Sequence, residues 1–493
     1  MTSPPMYVSR GVNHVAWSMH AVGTVAGVAA LIALVVASNV SVGIGYPAFV
    51  PSADLSLWDL ATAAALCLCV LPLFAFARFS FGYLIGLYLY AVVAGYVFLS
   101  FSSRLPYDHS HGRISAILSL IAFLVPALYL RIPALMRPIS PGAMNALLSA
   151  LTIVSVLVLA GCVSYGFRFA NILTSSELRN DISRPRLVNY ASGIVTGALL
   201  PFAFAYFATR GRWLIAIAAA LLIAGFFPVL LNKTTLFAPV WLIYLFVLFR
   251  LLNPKIAAIL AIALPMTVGL GMFWQDYHPY IFGFVNLRMV AIPSVGLDHY
   301  FAFFDRHPLT YFCQINVVRV FTGCPYAEQL GVIMERAYHL GNFNASLLAS
   351  EGIASVGPWL APIATFVCGT VIAIGSAAAS RLSPLLMAVS SGLLVQALLN
   401  VPLSTALLSN GGGVLFLLWM VSPSDQNASA EAAAENLADT DIAALRKIWW
   451  WRSPDLVDSA TLQRLIASGM LTKANGRLAL TEAGIERISA DGV

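Results

Sequence analysis

Twelve runs of about 20 apolar residues, parted by short polar breaks, leave this chain one kind of environment in which to fold. They lie at 18–40, 58–77, 81–101, 114–130, 143–166, 188–208, 213–231, 235–251, 255–274, 359–379, 383–401 and 404–421. A helix of about 20 residues, at about 1.5 Å per residue, spans the hydrocarbon of a bilayer. With 60% apolar and 10% charged residues among 493, no soluble core has room for so much apolar surface. The fold class expected is therefore an all-α polytopic membrane protein of about 12 transmembrane helices. The first run is long enough to span and lacks a small-residue cleavage site, so it reads as a retained helix. The net charge of +6 does not point to nucleic acid, because the basic residues are dispersed singly.

Charge sets the expected orientation. One set of short connections, at Arg78, 131–142, Arg210 and Arg212, Arg250 to Lys255 and Arg381, holds eight basic residues and no acid. By the positive-inside rule this set is cytoplasmic. An even number of spans then puts both termini in the cytoplasm and the long polar stretch, about 275–358, outside. Three segments follow from composition: a transmembrane domain over 1–423, a small polar linker over 424–438, and a cytoplasmic module over 439–493. In the module, a helix ending at Gly469, an apolar pair, a turn at Asn475-Gly476 and a short strand from Arg477 to Leu480 resemble half of a winged helix. Over the tail from residue 424, linker included, acids outnumber bases, which favours protein contact over DNA.

The outer stretch concentrates ionisable groups: Arg288, Arg306, Arg319 and Arg336, with Asp298, Asp305, Glu328, Glu335, Glu351, His299, His307 and His339. Within it, residues 284–304 are apolar enough for a partial or re-entrant segment, and Pro293, Arg288 and Asp298 argue against a lipid-facing span. Two further outer connections carry cations, Arg179 in SSELRND and Lys233 in LLNKTTL. Cations on the outer side do not serve topology, so an anion presented from the lipid is the natural target. Guanidinium forks suit phosphate oxygens, and lysine meets them as a point charge. Arg288, Arg179, Lys233, Arg319 and Arg336 are the candidate anion ligands. His339, Asp298 and Glu335 are the candidate acid–base groups. Cys313 and Cys324, outside, are placed to form a disulfide or to remain two free thiols. His109 and His111 form an HxH beside Asp108 without an evident third ligand, and Cys67 and Cys69 a CxC within an apolar run, so no metal site is expected. No P-loop or dinucleotide fingerprint occurs, and no cofactor is expected.

The twelve-span pattern over residues 1–421, SSELRND, LLNKTTLFAPV, RMVAIPSVGLDHYFAFFDRHPLTYF and GNFNASLLASEGIASVGPW together resemble the Wzy-type O-antigen and oligosaccharide repeat-unit polymerases. The resemblance implies a large periplasmic loop in the bacterial inner membrane. It also implies joining of glycan repeat units carried on undecaprenyl pyrophosphate, with no nucleotide or metal and with arginines holding the pyrophosphate. Arg179, Lys233 and Arg288 fall at the basic positions of its motifs. The expected partners are that lipid-linked oligosaccharide, membrane lipid, and the flippase and chain-length regulator of the same pathway. Related O-antigen ligases carry a His-Asn pair where this chain has Gly341-Asn342-Phe343-Asn344 with His339 displaced, which weighs against ligase. The rivals are a transporter or flippase for an anionic lipid-linked glycan, and a membrane scaffold acting through its tail.

Overall fold

The computed structural model describes residues 10–50, 55–133, 136–168, 184–275, 279–341 and 346–423, and in the tail 444, 448, 459–467, 470–474 and 477–481. Eleven of its helices are long and apolar enough to cross a membrane. The first nine, from Val22–Gly45 to Pro254–Trp274, correspond to the nine runs expected up to residue 274. The helices carry their own start signals. Ser56 and Asp59 form a capping box for Leu57–Leu68, Asp108 caps His109–Tyr129, and Asn253 precedes Pro254 at the start of Pro254–Trp274.

Two expectations downstream of residue 274, for 284–304 and 404–421, need revision in detail. Residues Tyr280–Phe304 form a continuous helix of 25 residues that is itself apolar enough to count among the eleven. Phe282 stacks on Phe273 and Tyr46, the Asn286 side-chain amide donates to Met266 O, Ser294 Oγ donates to Val92 O, and Asp298 accepts from Ser103. The helix thus packs against Pro254–Trp274 and Phe81–Leu99 along its length. Leu348–Ala378 is broken at Gly357, whose φ of 78° no helix accommodates. The run expected at 404–421 is divided into Leu403–Leu408 and Gly412–Val421 by Gly411 at φ 77°. Pro384–Leu398 and Gly412–Val421 are the shorter apolar helices.

The chain divides into two compact units. In the larger, residues 1–135, 148–380 and 384–420, the helix Phe81–Leu99 lies at the centre, buried at every position except Phe98. A helix apolar on all sides is one surrounded on all sides, and His109–Tyr129, Ile292–Phe304, Arg10–Gly45 and Pro384–Leu398 all pack on it. A close backbone approach joins His109–Tyr129 to Ser355–Ala378. Thr365 Oγ1 donates to Ser119 O at 2.9 Å, and a β-carbon on Gly369 would sit 2.2 Å from Phe123 O. Small residues let backbones meet where lipid supplies no hydrophobic drive.

The second unit comprises residues 136–147, 381–383 and 421–493. Arg381 Nη1 donates to Met136 O, and the Ile139 amide to Val421 O. In the tail, Ala444, Ile448, Leu465, Met470 and Leu471 share a small apolar core. The strand Arg477–Leu480 pairs antiparallel with Leu471–Ala474, from Leu471 opposite Leu480 to Ala474 opposite Arg477. The linker 424–438 and most of the expected module lie outside the described residues.

Substituting Gly369→Ala is expected to cost about 1–3 kcal/mol by forcing two packed backbones apart. Thermal unfolding of the detergent-solubilised protein measures it, and an unchanged midpoint would refute the tight approach.

Candidate functional site

Three stretches of π-helix interrupt the α-helices among the described residues, at Val195–Leu199, Gly283–Ala291 and Leu348–Ala354. A π-helical turn spoils the regular ladder and is found disproportionately at functional sites. Two of the three carry ionisable side chains, Arg288 in the second and Glu351 in the third.

Arg288 is exposed on its π-helix. Four residues earlier, Phe284 presents its ring to Lys233, whose Nζ lies 5.5 Å from the ring centroid, within range of a cation–π contact. Lys233 owes its place to a tight turn. Leu231 adopts a left-handed conformation that ends Phe227–Leu230, and Asn232 Oδ1 then accepts the Thr234 amide to start Lys233–Leu251. Arg184 holds the same turn, with Nη2 donating to Val229 O, and the Arg168 amide donates to Pro228 O at 2.9 Å. Arg184 Nε is buried without a hydrogen-bond partner. Burial draws the Arg184 pKa below its ordinary value. Arg184, Lys233 and Arg288, far apart in sequence, are thus linked through one turn and one ring. Arg179 lies outside the described residues. The sequence reading passed over Arg184; the signal was its place in SRPR, directly before a span.

The second cluster surrounds Asp298, 7% exposed. One carboxylate oxygen accepts the Tyr107 hydroxyl and the other the Ser103 hydroxyl at 2.7 Å. Tyr107 OH also lies 3.1 Å from Tyr96 OH, and both rings stack on Phe301. Burial pushes the Tyr107 phenol well above its ordinary range, so it remains a proton donor to the carboxylate. His299 donates from Nδ1 to Val295 O at 2.8 Å, and its ring stands edge-on to Tyr338 at 4.5 Å. Tyr338 OH reaches His299 O at 3.4 Å. Tyr338 thereby brings the end of Leu330–Tyr338 to this cluster, with His339 next along the chain.

The remaining candidates sit on short helices at the surface. His339 is exposed in a left-handed conformation that ends Leu330–Tyr338, its amide donating to Glu335 O. Glu335 is exposed. Arg336 is paired with Glu328 at 2.6 Å, with side chains 69% and 42% exposed, an arrangement that contributes little stability. Arg319 is exposed on Asn316–Thr322. A disulfide joins Cys313 to Cys324 across that helix. The structure therefore gathers Lys233 and Arg288, and separately Asp298 with the neighbourhood of His339. It leaves Arg319, Arg336 and Glu335 in surface positions.

Glu351, 4% exposed, is the other buried carboxylate among the described residues. Ser350 Oγ donates to one of its oxygens at 2.6 Å and the Ser404 amide to the other at 3.4 Å. Its π-helix is laced to the preceding loop: the Thr310 and Tyr311 amides donate to Ala354 O and Ser355 O, and Gln314 Nε2 donates to Ser350 O and Ser355 Oγ. The sequence reading counted Glu351 among loop charges and missed its burial. The signal was a lone acid in the apolar SLLASEGIASVGPW.

Replacing Tyr107 by Phe removes a hydroxyl donor to a buried carboxylate and is expected to cost about 1.5–3 kcal/mol of stability. A chemical-denaturation series on the purified protein checks this; no change would mean that water replaces the phenol. Among the described residues no group of three or more His, Cys, Asp and Glu is placed to hold a metal ion. No family model, curated protein or solved structure matches the chain.

Proposed function

We propose that the chain is a membrane glycosyltransferase that polymerises lipid-pyrophosphate-linked oligosaccharide repeat units at the outer face of a bacterial inner membrane. In this reading both termini and the acid-free basic connections are cytoplasmic, and the Lys233–Arg288 end faces outward. The observation that carries it is the seating of Lys233 on the Phe284 ring, one turn from Arg288, beside an Arg184 whose buried Nε lacks an acceptor. Fixed cations from three segments suit a pyrophosphate carried by a lipid lying alongside. As the bond to the sugar breaks, charge accumulates on the leaving pyrophosphate. Cations already in position then stabilise the transition state more than the ground state. The acceptor hydroxyl attacks the anomeric carbon from the opposite face, which inverts the configuration.

A flippase for the same lipid-linked glycan is the second reading. It is favoured by the break at Gly357 next to a π-helix with a buried carboxylate, since transporters build coupling sites at discontinuous helices.

In the native host, Arg288→Ala is expected to slow chain extension by about 10²–10³-fold, the effect of removing one transition-state donor. The glycan ladder should collapse to single capped repeat units while the protein persists in the membrane. A normal ladder would refute the polymerase reading. Accumulation of lipid-linked units facing the cytoplasm would establish the flippase instead.

A further inference from the structure

We infer that Glu351 is the general base that takes the proton of the acceptor hydroxyl, an assignment that rests on the polymerase reading above. An acid in a membrane-embedded apolar segment is costly to retain, and such residues mark function by default. Among the described residues its hydrogen-bond partners are neutral. Its hydrogen bonds come from the Ser350 hydroxyl and backbone amides at the start of Leu403–Leu408. These dipoles hold the carboxylate in one orientation without consuming its capacity to accept a proton. Asp298, the other buried carboxylate among the described residues, has each oxygen engaged by a hydroxyl within a closed network of tyrosines.

Position supports the assignment. The helix that continues from the Arg288 π-helix carries Tyr300, which lies within electrostatic range of Glu351. On the other side, the segment 396–404 contacts both π-helices. Gln396 Nε2 is 3.8 Å from Met289 Sδ, the residue after Arg288, and the Ser404 amide bonds Glu351 eight residues later. Residues 400–402 between them are half-buried, so the carboxylate lies one layer below an accessible turn. Arg288 and the base are therefore held on two π-helices joined through the segment 396–404.

The step balances without any further reagent. The acceptor oxygen forms its bond to the donor's anomeric carbon as the bond from that carbon to the phosphate oxygen breaks. The electron pair leaves with the pyrophosphate, held by Arg288 and Lys233, and the hydroxyl proton passes to a carboxylate oxygen of Glu351.

A purely structural alternative exists, in which Glu351 only ties its π-helix to Leu403–Leu408. Glu351→Gln separates the two, because the amide oxygen still accepts from Ser404 but the side chain no longer takes a proton. The test is pulse-chase labelling of glycan in the native host carrying Glu351→Gln, Glu351→Asp or Arg288→Ala, with membrane protein level and thermal midpoint measured for each. The expected result is extension slowed by about 100-fold or more in Glu351→Gln at normal protein level, with partial recovery in Glu351→Asp. Normal extension in Glu351→Gln alongside loss in Arg288→Ala would overturn the base and leave the polymerase standing. Normal extension in both would overturn both. Cytoplasm-facing lipid-linked units in Glu351→Gln would make the carboxylate part of a transport step and overturn the base. Should Glu351→Gln fail to accumulate, Glu351→Asp decides alone. It retains the charge one methylene short, and extension at least tenfold slower at normal level supports the base, whereas unchanged extension overturns it.

Discussion

Every backbone amide and carbonyl in an apolar medium needs a partner within the protein, and the rest of this structure follows from that requirement. It makes the long apolar runs helical and leaves breaks only where other protein groups stand in. The interruptions are placed accordingly. At Gly283–Ala291 the Ser294 hydroxyl donates to Val290 O. At Leu348–Ala354 the loop 310–314 supplies amides and a glutamine to the carbonyls of residues 350, 354 and 355. At Val195–Leu199 Thr196 Oγ1 returns to Ser192 O.

Charge is treated in two different ways. Cations stay half-buried or exposed and are positioned by weak, orienting contacts: a ring for Lys233 and a carbonyl for Arg184. The two buried carboxylates are instead held by neutral donors, because a buried charge without dipoles to solvate it costs several kcal/mol. Asp298 is enclosed by two hydroxyls, one of them part of a tyrosine pair, which suits a structural anchor between Ile292–Phe304 and the connection after Phe81–Leu99. Glu351 has a looser shell at a helix break.

Much of the helical frame was legible from hydropathy, because length and apolar content alone decide whether a segment spans. The nine runs before residue 275 reappear as helices for that reason. The method was weaker beyond it. A composition window does not register the positive φ of Gly411, which divides a run that reads as continuous. Conversely, Arg288, Pro293 and Asp298 lower the apparent apolarity of 280–304, although the helix shields Asp298 with hydroxyls from another segment. Lys233 and Arg288 were legible as isolated cations at apolar boundaries. Arg184, Tyr107 and Glu351 were not, since their partners lie at Val229, Asp298 and Ser404, distant in the chain.

Sequence alone determined the medium and the expected orientation: a chain with this apolar content and this spacing of basic residues has to be a bundle of membrane helices. It also marked the segments where ionisable groups concentrate. Only the tertiary structure decided which of those groups meet. A helix carries a charge to a definite depth and face, and its neighbours determine whether it is solvated, paired or open to a ligand. Two acids 53 positions apart are therefore held differently, Asp298 by two side-chain hydroxyls and Glu351 by one hydroxyl and a backbone amide.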